Sequence, residues 1–101
     1  MYLIQTLLPL RDADGEPFPR AYYEQVVRKL TDTFGGITAY TRSPAEGRWQ
    51  SGGREEHDDV IVLETMTKHL DRAWWKELRI DLEKEFGQDE IVIRAMPIER
   101  L

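Results

Sequence analysis

Residues 20–35 (RAYYEQVVRKLTDTFG) and residues 72–87 (RAWWKELRIDLEKEFG) repeat one another at a constant offset of 52 positions. Both stretches open with Arg-Ala and an aromatic pair, and both close with Phe-Gly. Apolar residues recur between these ends at helical spacing, which predicts two amphipathic helices that end at left-handed glycines. Pro19 suits the first turn of the first helix, and either Thr67 or Asp71 can cap the second.

The adjacent tryptophans Trp74 and Trp75 occupy the positions in the second helix that Tyr22 and Tyr23 occupy in the first. Neighbouring residues of a regular helix are separated by about 100°, so the two indole rings cannot form one flat platform for a ligand. We interpret the doublet as two edges of a wide buried stripe, one directed towards the sheet and one towards the other helix.

Four strand-like segments rich in Val, Ile, Thr and aromatic residues flank these helices, at residues 2–8, 37–42, 60–66 and 91–96. The element order is therefore β-α-β followed by β-α-β, and the repeat corresponds to the pseudo-twofold axis of a ferredoxin-like fold. This order predicts an α+β protein of the split βαβ (βαββαβ) type, a four-stranded antiparallel sheet with two helices on one face. The length of 101 residues fits a single domain, residues 1–101.

The sheet face opposite the helices is predicted to be apolar as well. Successive residues of a strand point to opposite faces, yet both parities of the strand segments carry apolar side chains. Exposed apolar patches usually mark an interface or a binding groove, and twofold dimers dominate among soluble oligomers. We therefore expect a homodimer formed through this face, with an elongated groove for a partner or ligand as the alternative. One set of alternate apolar residues is Ile4, Leu8, Ile61, Leu63, Ile91 and Ile93, and the other set is Leu3, Leu7, Val60, Val62, Met66, Val92 and Met96.

Four polar residues predicted on this same face are the candidate ligand-binding residues: Tyr40, Arg42, Glu64 and Arg94. Such groups at the edge of an apolar surface can hold an anionic or carbonyl-bearing ligand in a dimer cavity. The alternative interpretation is a salt-bridge network across the dimer interface. No phosphate loop, nucleophile elbow or zinc-binding helix is present, so no catalytic residue is assigned and enzymatic activity stays open.

Two functions follow from these candidates. In the first, the dimer encloses a cavity that binds, and in an enzyme also transforms, a small organic molecule. In the second, the chain is a non-catalytic assembly or regulatory module whose sheet face is filled by its partner. Fold alone does not separate the two functions, because one fold supports many activities.

The connection between the second and third strand segments, residues 43–59, is rich in turn formers and predicts a long hairpin or protruding arm. Its tryptophan, Trp49, either packs on its own core or contacts a neighbouring subunit or cavity. The adjacent charged run Glu55-Glu56-His57-Asp58-Asp59 is interpreted as a solvated surface, because neighbouring residues of an extended chain point in opposite directions.

The segment Asp12-Ala13-Asp14-Gly15 is interpreted as a turn, since its glycine stands fourth where a calcium loop needs it sixth. The surrounding connection, residues 10–19, is longer than its counterpart in the second half and is predicted to line an active or interacting edge. The sequence thus predicts no metal site and implies no cofactor.

The charge and composition exclude several classes of binding partner and location. A net charge of −5 without a basic run argues against nucleic-acid binding. The residues at the start lack the basic region of a signal peptide, and no apolar run approaches a membrane span, so we expect a cytoplasmic protein that is not bound to a membrane. The absence of cysteine excludes disulfides.

In element order and in its doubly apolar sheet, nearly the whole chain resembles the ferredoxin-like dimeric α/β-barrel group. The resemblance implies two sheets packed face to face around a small cavity. Members include cofactor-independent monooxygenases, isomerases and haem-binding enzymes, whose functional residues differ between families, so none is transferred to this sequence. Tautomerase relatives of this fold rely on an N-terminal proline. This sequence has Met1-Tyr2 instead, so tautomerase activity is not expected. The stretch FGGITAYTRSPAEGRW, residues 34–49, is also similar to a signature of short uncharacterised bacterial proteins, which implies no activity.

Overall fold

The computed structural model describes residues 1–42, 50–51, 54–55 and 60–101, with the backbone only for residues 42, 50, 51, 54 and 55. In this part of the chain, six strands and two helices follow one another. They are β1 (Tyr2–Pro9), α1 (Arg20–Phe34), β2 (Thr38–Arg42), β3 (Gln50–Ser51), β4 (Arg54–Glu55), β5 (Val60–Thr67), α2 (Arg72–Glu85) and β6 (Ile93–Pro97).

The main sheet has the strand order β2-β5-β1-β6, and every neighbouring pair is antiparallel. Both helices pack on one face of this sheet, where their apolar residues join those of β1 and β5 in one core. The predicted ferredoxin-like α+β fold is therefore confirmed. The short strands β3 and β4 pair with each other, with Gln50 opposite Glu55 and Ser51 opposite Arg54. The remainder of the predicted arm, Trp49 included, lies outside the described residues.

The helix ends follow the local sequence. Asp71, rather than Thr67, caps α2, because its side chain accepts a hydrogen bond from a backbone N–H of the first turn (3.1 Å). Pro19 stands immediately before the first helical residue of α1. Gly35 and Gly87, just beyond the two helices, have φ angles of 85° and 59°, as the paired Phe-Gly endings predict.

The aromatic residues of the repeat pack reciprocally between the antiparallel helices. Phe34, at the end of α1, stacks on Trp75 with 5.1 Å between ring centroids and meets the edge of Trp74 at the same distance. Phe86, just beyond α2, packs against the tyrosine pair near the start of α1, edge-on to Tyr22 at 5.6 Å and tilted against Tyr23 at 5.5 Å. The planes of the two tryptophan rings meet at 79°, so they offer no shared flat surface. The doublet is structural, as predicted.

The core lies between the helices and the sheet because alternate residues of β1 and β5 point towards the helices. Three threonines are buried on this side of the sheet, Thr6, Thr65 and Thr67. Thr6 is 1% exposed, and its hydroxyl has no hydrogen-bond partner in the described part of the chain. The buried apolar residues of this core are Ile4, Leu8, Val26, Leu30, Leu63, Trp75, Leu78, Leu82, Phe86 and Ile91.

Candidate functional site

The open face is the face of the main sheet that the two helices do not cover. Three apolar side chains of this face are strongly exposed: Met66 at 50%, Val92 at 44% and Met96 at 37%. The expectation that both parities carry apolar residues is thus confirmed. The described residues of this face are Leu3, Gln5, Leu7, Pro9, Thr38, Tyr40, Val60, Val62, Glu64, Met66, Val92, Arg94 and Met96, of which Val62 is 0% exposed.

A line of hydrogen-bonded side chains, which we call the polar row, crosses the middle of the open face. Gln5 of β1 lies opposite Glu64 of β5 on one side and Arg94 of β6 on the other. The Arg94 Nε–H donates to Gln5 Oε1 at 2.7 Å, and Gln5 Nε2 donates to Glu64 Oε2 at 2.6 Å. The Tyr40 hydroxyl donates to the same carboxylate oxygen at 3.2 Å. The polar row therefore connects all four strands of the sheet.

The chemistry of the two charged residues on either side of Gln5 fixes the orientation of the Gln5 amide. A guanidinium only donates hydrogen bonds and a carboxylate only accepts them, so the Gln5 amide directs its oxygen to Arg94 and its nitrogen to Glu64. Gln5 is only 7% exposed and acts as a buried connector between the two charged groups. Within the described residues, the terminal nitrogens of Arg94 and the second oxygen of Glu64 make no hydrogen bond. These groups can still bind a ligand or a partner chain.

Three of the four predicted site residues, Tyr40, Glu64 and Arg94, are thus brought together. Arg42, the fourth, ends β2 with its backbone opposite Val60, and its side chain lies outside the described residues. The central residue, Gln5, was missed by the sequence reasoning. A signal for it exists, because Gln5 is the polar residue between Leu3 and Leu7 in the same parity of an otherwise apolar strand.

A cavity of about 800 Å³ opens beside the C-terminal end of β1. The regular pairing of β6 with β1 ends at Ile93, and one further hydrogen bond, from the Leu7 N–H to Val92 O at 3.0 Å, holds the chain to β1 beside the cavity. Its volume falls in the range usual for small-molecule sites, roughly 300–1,000 Å³. The apolar lining consists of Leu7, Pro9, Leu10, Ala13, Val60, Ile91 and Val92, and the charged residues are Arg11, Asp12, Asp89 and Glu90.

The connection before α1 forms one wall of this cavity and is held in a tight turn. The Asp12 carboxylate accepts hydrogen bonds from the backbone N–H groups of Asp14 and Glu16, both at 2.9 Å. Arg11 donates to the carbonyl of Gly15 at 3.0 Å, and Gly15 has a φ of 80°. The segment is a turn, as predicted from its sequence, and the surrounding connection lines the cavity.

No residue of the polar row lines the cavity, but two residues of the cavity lining are next to the row in the same alternation of their strands. Leu7 lines the cavity and stands two residues beyond Gln5 on β1, and Val92 stands two residues before Arg94. Residues two apart on a strand lie on the same face at about 7 Å from one another. The apolar lining of the cavity therefore continues along β1 and β6 towards the polar row.

Within residues 1–42 and 60–101, no three His, Asp or Glu side chains gather in a way that would hold a metal ion. The charged run at residues 55–59 lies outside the described side chains, so its interpretation stays a prediction. Neither described helix has the length and apolar character needed to cross a membrane.

Comparison of the sequence with protein-family models and with curated proteins finds no match. Solved structures do resemble it. A phage SAM lyase in complex with S-methyl-5'-thioadenosine gives a TM-score of 0.62 over 94% of this chain and 79% of that chain, at 10% identity. CutA1 from Pyrococcus horikoshii gives 0.59 over 100% of this chain and 86% of that chain, at 16% identity. An aspartate-to-alanine variant of CutA1 gives 0.57 at 18% identity, with the same coverage.

At identities of this size, structural likeness shows the fold and not the activity. The similarity extends over nearly the whole chain and agrees with the four-stranded antiparallel sheet and two helices described above. The chain is therefore a small α+β protein of ferredoxin-like fold.

Proposed function

We propose that the chain forms a homodimer through its open face and binds a small organic molecule in the cavity at the end of β1. The ligand combines an apolar body with an anionic or carbonyl-bearing group held by the polar row. The observation that carries this proposal is that Leu7 and Val92, which line the 800 Å³ cavity, each stand two residues along their strand from a member of the polar row, Gln5 and Arg94.

Arg94 is the anchor for the ligand's polar group. Its Nε–H is engaged by Gln5, and this bond holds the side chain in place while the two terminal nitrogens stay able to donate. A guanidinium held in this way recognises carboxylate, phosphate or carbonyl oxygens by paired hydrogen bonds. Leu7 and Val92 supply the apolar contact beside it.

The exposed apolar residues of the open face support the homodimer. In a monomer, three apolar side chains of this face would stay in contact with water: Met66, Val92 and Met96. Burying them in an interface is favourable by about 25 cal/mol for each Å² of apolar surface removed from water. A second open face is the simplest cover for a flat apolar sheet, because twofold contacts use one patch twice. The single-domain organisation of residues 1–101 and an arm at residues 43–59 belong to the same proposal.

Ligand binding is tested with benzoate, phenyl phosphate and S-methyl-5'-thioadenosine as probes, by thermal shift and calorimetry. The nucleoside thioether is included because it is the ligand in the phage lyase of similar fold. Arg94→Gln is expected to weaken binding of the anionic probes about tenfold to a hundredfold, since a hydrogen bond to a charged group contributes about 1.5–3 kcal/mol. Arg28→Gln, on the exposed surface of α1, is the matched control. Equal affinity of the parent and Arg94→Gln would show that the polar row is not the anchor.

The homodimer is tested by light scattering at micromolar concentration. Met66→Glu places a charge at an apolar side chain of the open face that is 50% exposed, and this variant is expected to give a monomer. Ile80→Glu changes a residue of α2 that is 37% exposed on the opposite side, and this variant is expected to remain a dimer. A monomeric parent protein would refute the proposed use of the open face.

A specific observation also favours the second candidate, an assembly module without a ligand. Arg94 and Glu64 carry opposite charges two strands apart, so a twofold axis along β1 would place each Arg94 over the Glu64 of a second copy. In this case Arg94→Glu disrupts the dimer, and combining it with Glu64→Arg restores it. If the polar row instead binds a ligand, the combined variant does not recover binding of the anionic probes.

A further inference from the structure

Among the described residues, the edge strand β6 presents unpaired backbone groups at two alternate positions, Ile93 and Ala95. The Leu7 N–H donates to Val92 O and the Ile98 N–H donates to Met1 O, both at 3.0 Å. In an antiparallel pair, every second residue directs its N–H and C=O groups to the neighbouring strand. The even-numbered residues of β6, like Val92 and Ile98, therefore direct their backbone groups to β1. Ile93 and Ala95 direct their N–H and C=O groups away from β1. In the described part of the chain, β6 pairs with no other strand.

A groove of about 230 Å³ runs between this edge and α2. Its floor is apolar and includes Trp75, together with Ile93 and Ala95 themselves. The two residues with outward-directed backbone groups therefore also line the groove. A strand added at this edge would place the side chains opposite Ile93 and Ala95 on the helix side of the sheet, because directly paired residues share a face.

The rim of the groove is basic. Arg72, Lys76 and Arg79 line it from α2, at spacings that place them on one side of the helix. Arg79 is paired with Glu83 at 3.0 Å, whereas Arg72 and Lys76 form no ion pair with another described residue. This local positive charge contrasts with the net charge of −5 of the whole chain.

We propose that β6 and the groove bind an acidic peptide segment in extended conformation, added to the sheet as a further antiparallel or parallel strand. Its backbone pairs with Ile93 and Ala95, and its carboxylates on the helix side lie against Arg72 and Lys76. Such strand addition takes its affinity from main-chain hydrogen bonds and its specificity from alternate side chains. The interaction is independent of the function proposed for the open face.

Two features define the length and class of this partner. Pro97 lacks an N–H group and ends the useful edge, so β6 accommodates about five to seven residues, or roughly 17–24 Å of extended chain. A free carboxylate would use the basic rim alone, whereas a peptide uses the rim and the backbone edge together. The juxtaposition of both on one groove therefore favours a peptide.

The test uses a fluorescein-labelled peptide with the sequence Val-Glu-Val-Glu-Val-Glu-Val and fluorescence anisotropy. The matching peptide with lysine in place of glutamate is the charge control. We expect saturable binding of the acidic peptide, weakened at high salt because the ion pairs are exposed, and at least tenfold weaker binding of the lysine peptide. Equal binding of the two peptides would overturn the proposal.

Two pairs of variants separate the edge from the rim. Ala95→Pro removes the outward N–H and leaves the ladder to β1 intact, while Ala95→Val keeps the N–H. The proline variant is expected to lose about tenfold in affinity and the valine variant to bind like the parent, with equal urea unfolding of both as the check on folding. Unchanged binding by Ala95→Pro would refute strand addition.

For the rim, Arg72→Glu with Lys76→Glu is expected to weaken binding at least tenfold. The charge-matched control on the other helix, Arg20→Glu with Arg28→Glu, is expected to leave binding unchanged. An equal loss in both double variants would show that only the overall charge matters, and the proposed groove would then be wrong.

Discussion

Replacing Thr6 by valine should stabilise the protein. Thr6 is 1% exposed and points into the core, and its hydroxyl has no hydrogen-bond partner among the described residues. Burying such a hydroxyl without a hydrogen bond costs about 1–3 kcal/mol in mutational data. Valine has nearly the same shape and the same preference for strands, so the substitution removes the cost without opening a cavity.

We expect Thr6→Val to raise the free energy of unfolding by about 1–2 kcal/mol. For a protein of this size, each kcal/mol corresponds to a rise in Tm of roughly 4–8 °C. Urea unfolding measures the change directly, and the slope m should stay constant because the unfolded surface is the same.

The matched control is Thr65→Val, on the neighbouring strand. Thr65 is 2% exposed, but its hydroxyl donates to the Gly36 carbonyl at 3.1 Å. The same change there removes a hydrogen bond and is expected to cost about 1 kcal/mol. If both variants shift stability in the same direction by a similar amount, the unpaired hydroxyl of Thr6 is not a source of instability and the reasoning fails.

Two further predictions concern titration. The pKa of Glu83 is lowered by the hydrogen bond from the Ile91 N–H at 2.9 Å and, to a lesser degree, by Arg79, while burial acts in the opposite direction. The wild type should therefore lose more stability than Glu83→Gln between pH 6 and pH 2. This contribution is complete above the carboxyl's ordinary pKa and is lost as the pH falls through the lowered one, and urea unfolding at both pH values measures it; equal acid losses would contradict it. Burial raises the pKa of Tyr23 above its ordinary value of 10.0, and its hydroxyl donates to Pro9 O at 2.6 Å, so ultraviolet titration should show a late phenol that is absent from Tyr23→Phe. The stability linked to Tyr23 is present at lower pH and is lost as the pH rises through the raised pKa, and a titration curve unchanged by Tyr23→Phe would contradict the assignment.

The fold could be predicted because its determinants are local and occur twice. Helical periodicity, the Phe-Gly endings and the aromatic doublets recur at one offset, which is sufficient to define two equivalent β-α-β halves. The choice between Thr67 and Asp71 as the cap of α2 was not predictable, because both residues are good caps and only the path of the chain decides which reaches the helix.

The candidate site was predictable in part for a similar reason. Strand alternation alone places Tyr40, Glu64 and Arg94 on one face, and the structure brings these three residues together. The role of Gln5 depends on register, since its amide meets both charged groups only when β1 lies between β5 and β6 with Gln5 opposite each of them. Register is a long-range property that a single sequence specifies weakly.

The cavity arises where the two halves of the repeat differ. After β5, the chain reaches α2 through residues 68–71, a short connection tied by the Thr67 hydroxyl bonding to the His69 carbonyl at 2.6 Å. After β1, the chain needs residues 10–19 to reach α1, and this longer connection forms a wall of the cavity. Two equal halves would suffice for the core, as the reciprocal packing of Phe34 and Phe86 shows. The longer connection adds Phe18 to the core, 5.0 Å from Phe86 between ring centroids, and the rest of its length lines the cavity, which supports the binding site proposed at the end of β1.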